Sequence, residues 1–124
     1  MSSHGTVAWT EFNTFDVAGA RAYYGAVFGW EFEAMPHQDG SEYTICKKDG
    51  QPVAGIFDMT PVPMLKGIPS HWLTYFAVED MAATVEAVKA AGGSLRRAPF
   101  DTPAGKIAIV EDATGGVCAY MQPA

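Results

Sequence analysis

The stretch Val7–Gly29, VAWTEFNTFDVAGARAYYGAVFG, decides the fold class. Its first part, Val7 to Thr14, is a run of β-branched, aromatic and polar residues that reads as a strand. Asp16 follows as an N-cap, because its carboxylate can accept from the first free amides of a helix. In the helix itself, VAGARAYYGAVF, the residues Val17, Ala20, Tyr24 and Val27 recur on one face. Gly29 supplies a left-handed stop. Three further strands are predicted at Trp30–Met35, Tyr43–Lys48 and Pro52–Phe57, separated by turns at HQDGS (37–41) and Asp49-Gly50.

The same order then returns. Trp72–Val78 (WLTYFAV) is a strand, Asp80 takes the cap position, a helix covers Met81–Ala91, and Gly92-Gly93 ends it. Met81, Val85 and Val88 share one face of that helix. Strands at Ser94–Ala98, Lys106–Glu111 and Val117–Met121 complete the run, with turns at DTPAG and DATGG. At an offset of 64, Asp16 meets Asp80, Ala18 meets Ala82, Ala26 meets Ala90 and Gly29 meets Gly93. An internal duplication accounts for the matched order, and predicts an α+β chain of two tandem βαβββ modules in one domain. Module one covers about 5–58 and module two about 71–124. Dimeric ferredoxin-like barrels also begin β-α-β, but they carry fewer strands after each helix.

Between the modules, DMTPVPMLKGIPS (58–70) holds three prolines and no period, so 59–70 is expected as a connection along the surface. Met59, Val62, Met64, Leu65 and Ile68 in it call for cover, which also allows a flap over a ligand.

The formal net charge of −6, with only eight scattered Lys and Arg, excludes a nucleic-acid surface built on clustered cations. No apolar run reaches the ~20 residues of a spanning helix, so no membrane partner is expected. The start, Met1-Ser2-Ser3-His4-Gly5, lacks the regions of a signal peptide, and the expected location is the cytoplasm. Cys46 and Cys118 lack disulfide or zinc spacing and read as small hydrophobes in strands.

The segment W-T-E-F-x-T-x-D-x-x-x-A-x-x-Y-Y-x-x-V-F-G-W, from Trp9 to Trp30, resembles the first module of the vicinal oxygen chelate superfamily. That group includes glyoxalase I, bleomycin-resistance proteins and extradiol dioxygenases. W-L-x-Y-F-x-V-x-D (72–80), A-G-G (91–93), P-x-D-x-P-x-G-K (99–106) and the turn Asp112–Gly116 extend the resemblance over almost the whole chain. It implies an open, cup-like mixed sheet of eight strands with helices outside, a small-molecule site on the concave face, and a homodimer.

The enzymes of the family hold a divalent metal with His and Glu or Gln, seven residues before each capping Asp and on each module's final strand. The matching positions here are Trp9, Leu73, Ala119 and, approximately, Gly55, and none of them can ligate a metal. The resemblance therefore implies no metal at the usual site and no cofactor. Strand alternation puts Trp9, Glu11 and Asn13 on one face, and His71, Leu73 and Tyr75 on another. Glu11 with His71 and one more donor is the alternative, displaced metal site. His4 in the N-terminal tail and His37 after Pro36 read as solvated.

What is left is a ligand-binding face of Trp9 and Tyr75, with Phe57 and Phe100 nearby and Glu11, Asn13 and His71 as polar points. An apolar site with a few fixed polar groups suits a small, partly aromatic molecule. The leading expectation is a metal-free binding protein of the bleomycin-resistance type. The alternatives are a lyase, isomerase or dioxygenase using a displaced metal or a Glu11 or His71 base, and an accessory domain that packs on a partner protein. Whether the chain is an enzyme stays open.

Overall fold

The computed structural model describes residues 3–36 and 42–124. The expected turn at 37–41 and His37 fall outside the described residues. The elements follow the order β1 (Val7–Thr14), α1 (Val17–Phe28), β2 (Glu31–Pro36), β3 (Glu42–Lys48), β4 (Gln51–Asp58), β5 (His71–Ala77), α2 (Met81–Ala90), β6 (Ser94–Thr102), β7 (Gly105–Glu111) and β8 (Val117–Pro123). The fold is α+β, two βαβββ modules of mixed strands. Among the described residues, no helix is long and apolar enough to cross a membrane.

The chain forms two compact units, one of Trp9–Trp72 and the other of Met1–Ala8 with Leu73–Ala124. In the Trp9–Trp72 unit the strands lie in the order β2-β3-β4-β1. Both hairpins are antiparallel, while β4 returns parallel to β1 with Glu11 beside Gly55 and Phe12 beside Ile56. The crossover is α1. Asp16 caps it by accepting from the Gly19 amide, and Gly29 ends it at φ 70°, as the sequence pattern requires. The helix packs Ala20, Val17 and Tyr24 against Phe12, Phe32, Cys46, Ala54 and Ile56. Val27, expected on that face, is exposed. The last turn is instead closed by rings: Tyr24 stacks with Phe28 and Trp30, and accepts a hydrogen bond from Trp72 Nε1 at 3.1 Å.

The connection after β4 lies at the surface around one short 3-10 turn, Pro63–Leu65. It is tied down where it starts and where it ends. The Met59 amide donates to the Thr14 carbonyl, and the Ser70 and Thr14 hydroxyls are 2.9 Å apart. Of its apolar residues, Met59 is fully buried, Val62 and Leu65 are half-buried, and Met64 and Ile68 are exposed, contrary to the expectation of cover.

The other unit repeats the plan as β5-β8-β7-β6, with β5 and β8 parallel. Tyr75 stands beside Ala119 as Glu11 stands beside Gly55, so the parallel registers coincide at the offset of 64 read from sequence. Asp80 caps α2 through the Ala83 amide. Val78, Met81, Val88, Ala108 and Val110 form the core under α2. The strand β6 runs to Thr102, beyond the expected end at Ala98. Register shifts on either side of Arg97 absorb Pro99, and β6 ends the strand order of its unit, where a proline costs no ladder bond. His4, taken from sequence as a solvated tail residue, is exposed but accepts from the Glu79 amide at 3.1 Å.

The turn between β7 and β8 is organised by Asp112. Its Oδ1 accepts from the Thr114 hydroxyl and amide and from the Gly116 amide. These bonds, led by the Thr114 hydroxyl, hold its pKa below the ordinary 3.8. A carboxyl depressed in the folded state contributes stability above its unfolded value and loses it as pH falls through the folded value. Thermal melts should therefore show stability lost on acidification below about 3.8, with a shallower loss in Asp112→Asn. The connection gives a second expectation. Met59→Ala should cost about 2–4 kcal/mol in urea unfolding, whereas Met64→Ala should change stability by less than about 0.5 kcal/mol.

Candidate functional site

Alternation along β1 separates two faces. Phe12 points to α1, so Trp9, Glu11 and Asn13 share the opposite face. Register extends that face across β4: Gly55 lies beside Glu11 and Phe57 beside Asn13. Ile45 of β3 pairs with Gly55 from the other side. Four of the residues singled out from sequence (Trp9, Glu11, Asn13 and Phe57) are thus brought onto one face of the Trp9–Trp72 unit.

At the centre is a carboxylate. Glu11 is only 6 % exposed and accepts at Oε2 from the Tyr43 hydroxyl at 2.8 Å. The same hydroxyl accepts from Trp9 Nε1 at 3.0 Å. The result is a directed chain, indole to phenol to carboxylate, in which each donor meets an acceptor. Hydrogen bonds to a charged group are each worth about 1.5–3 kcal/mol. Asn13, equally buried, donates through Nδ2 to the Glu11 carbonyl at 3.2 Å.

Tyr43 is the residue that sequence reasoning missed. Its strand was predicted, but its face was not, because parity on β3 follows from register and not from the strand's own residues. Gly55 held the signal. A Cβ at position 55 would collide with the Tyr43 hydroxyl and ring, so the bare backbone there makes the room that the phenol fills.

His71 opens β5 and is half-buried. Its Nδ1 is 2.9 Å from the Pro69 carbonyl. A carbonyl only accepts, so in the neutral ring the proton sits on Nδ1 and Nε2 is the basic nitrogen. Tyr75 and Phe100 belong to the other unit. Tyr75 is buried, with Ala119 beside it and Ile109 beyond Ala119. Phe100 is half-buried beneath Arg97, whose guanidinium carbon is 3.5 Å from the ring centre. The sequence reading did not single out this contact of Arg97.

Among the described residues, those around Glu11 do not supply the several carboxylate, imidazole or carbonyl donors that a hard divalent cation needs. A phenol proton and an indole N–H face the carboxylate chain instead. Among the described residues, no three His, Cys, Asp or Glu side chains converge. Neither thiol is activated. Burial pushes Cys46 up to about 11, partly offset by the Arg21 guanidinium, and burial also raises Cys118.

Comparison with known proteins gives the family and the fold. "Putative glyoxylase CFP32" of Mycobacterium tuberculosis is 35% identical over 125 residues, covering 100% of this chain and 46% of that protein. The anthracycline biosynthesis protein DnrV of Streptomyces peucetius is 29% identical over 129 residues, covering 95% of this chain and 47% of its own. The chain thus spans about half the length of the curated relatives it matches. Among solved structures, methylmalonyl-CoA epimerase from Mycobacterium tuberculosis matches with a TM-score of 0.66 at 18% identity, over 100% of this chain and 91% of that one. The Streptomyces coelicolor methylmalonyl-CoA epimerase in complex with 2-nitronate-propionyl-CoA matches at 0.67 and 15% identity, over 98% and 99%. At such identities these two likenesses show the fold alone. The family profile of the Glyoxalase/Bleomycin resistance protein/Dioxygenase superfamily matches residues 6–117. With the two βαβββ modules, that match makes the chain a member of the glyoxalase/bleomycin resistance protein/dioxygenase superfamily.

Proposed function

We propose that this chain is a small-molecule-binding protein of the glyoxalase/bleomycin-resistance type that works without the family's usual metal ligands. The observation that carries the reading is the Trp9–Tyr43–Glu11 chain on the face of β1. An aromatic surface beside one fixed, buried carboxylate is what holds and orients a flat organic molecule. At the positions to which the family resemblance carries the enzymes' metal ligands, this chain has Trp9, Leu73, Ala119 and, approximately, Gly55. For this binding role the Trp9–Trp72 unit offers Trp9, Glu11, Asn13, Phe57 and His71, and the other unit, taken by itself, offers Tyr75 and Phe100. A relative named for anthracycline biosynthesis supports a planar aromatic ligand. We place the protein in the cytoplasm, as a homodimer.

A second reading has one observation in its favour. A carboxylate held by a phenol is also equipped to take a proton from a bound substrate, which suits a lyase or isomerase with Glu11 as general base. His71, with Nε2 basic, is the other candidate base.

Titration with an anthracycline separates these outcomes. In a Trp30→Phe/Trp72→Phe variant, fluorescence reports Trp9 alone among the three tryptophans. Saturable quenching, weakened at least about tenfold by Glu11→Ala, is expected, since a lost charge-assisted contact is worth about 1.4 kcal/mol or more. Nickel, zinc, manganese and iron titrations of tag-free protein are expected to show no stoichiometric binding. Stoichiometric metal abolished by Glu11→Ala or His71→Ala would overturn the metal-free reading in favour of an enzyme. Sedimentation of the same samples tests the dimer, and a single species at the monomer mass would refute it.

A further inference from the structure

Strand β6 changes register on both sides of Arg97, and the two changes decide where that side chain points. Leu95 stands beside Val110 and packs in the core under α2. With a period of two, Arg97 would follow Leu95 to the α2 side. The first shift instead puts Arg97 beside Ile109, whose neighbours on β7, Ala108 and Val110, are the ones in that core. Arg97 is thus turned to the opposite face. The second shift sets Phe100 beside Ile107, which shares the face of Ile109. Bulges are a common device for re-aiming a side chain. Here they unite a cation and a ring that plain alternation along Arg97-Ala98-Pro99-Phe100 would send to opposite faces.

The guanidinium carbon of Arg97 lies 3.5 Å from the centre of the Phe100 ring. At that distance the group lies flat, because a nitrogen aimed at the ring centre would sit inside its van der Waals surface. The ring therefore orients the cation without using up the fork of N–H donors that pairs with a carboxylate. Arg97 is exposed, and Ile109 beside it and Phe100 beneath it are half-buried, so the fork stands over a partly open apolar floor.

Charge makes the position unusual. The chain carries 14 Asp and Glu against eight Lys and Arg, yet among the described residues no carboxylate pairs with Arg97. Its neighbours in kind are committed: Arg96 pairs with Glu111 at 2.7 Å, and Arg21 donates to Thr44 Oγ1 at 2.9 Å. The duplicate position at the offset of 64 is Glu33, beside Ile45, and it is paired with Lys47.

We propose that Arg97, laid on Phe100, is an anion-recognising residue that takes the carboxylate of a ligand whose flat apolar part lies on the floor beside it. One cation matches a monoanion, and the planar fork matches a carboxylate through two parallel hydrogen bonds. The proposal rests on the binding role given above to Phe100 and names the ligand group for it.

The first test is on the intact wild-type chain. Its three arginine Nε–H resonances in a proton–nitrogen correlation spectrum are assigned with Arg97→Lys. Benzoate should shift the Arg97 resonance saturably and leave Arg21 and Arg96 in place. An unmoved Arg97 resonance would overturn the proposal.

The second test compares affinities for benzoate, its neutral isostere benzamide, and inorganic phosphate. Benzoate should bind at least about tenfold more tightly than benzamide, the scale of one charge-assisted contact. In Arg97→Met, which keeps an apolar stem for the ring, that ratio should fall to within about threefold. Arg97→Lys, with the charge but not the fork, should fall between the two. Benzamide binding as tightly as benzoate, a ratio unchanged in Arg97→Met, or phosphate binding more tightly than benzoate would each overturn the assignment. Should Arg97→Met not fold, the wild-type resonance decides. Failure of the Trp9 reading is distinguishable: anthracycline quenching is then absent while benzoate still shifts Arg97.

Discussion

A carboxylate buried as deeply as that of Glu11 has to be answered by a donor, and much of this face follows from that demand. Removing an ionised group from water costs several kcal/mol even after relaxation, so a buried acid survives only where hydrogen bonds replace its hydration. Here the replacement comes from β3, two strands away from β1, and it reaches the acid only because the intervening strand β4 presents Gly55. The parallel β1–β4 register puts Gly55 beside Glu11.

The two units solve the same folding problem with different means. Each uses an Asp cap, a helix on one face of a four-strand run, and a parallel return strand at the same register. Where the first puts Glu11 and Gly55, the second puts Tyr75 and Ala119. The buried Trp9–Tyr43–Glu11 chain belongs to the Trp9–Trp72 unit, and in the other unit the face opposite α2 carries Tyr75, aliphatic residues and the Arg97–Phe100 pair.

The order of elements was legible in the sequence because its determinants are local. The Asp16 and Asp80 caps, the Gly stops and the strand periods all act within a few residues, and α1 falls on the predicted span. The limits of that reading lie where distant residues decide. The strand β6 outran its expected end because bulges accommodate Pro99, and Val27 lost its place on the helix face where Phe28, Trp30 and Tyr24 pack as rings. Part of the Glu11 face was legible too. Alternation alone put Trp9, Glu11 and Asn13 together, while Tyr43 needed the register of three strands before its face was defined.

Gly55 also bears on how this family member can change. By the family resemblance it stands near a position where the enzymes carry a metal ligand, and a ligand introduced there would begin with a side chain at that position. That first step collides with the phenol already seated there, and it breaks the support of a buried acid before any ligand is gained. The order of substitutions is therefore constrained: Tyr43 has to leave before position 55 can grow.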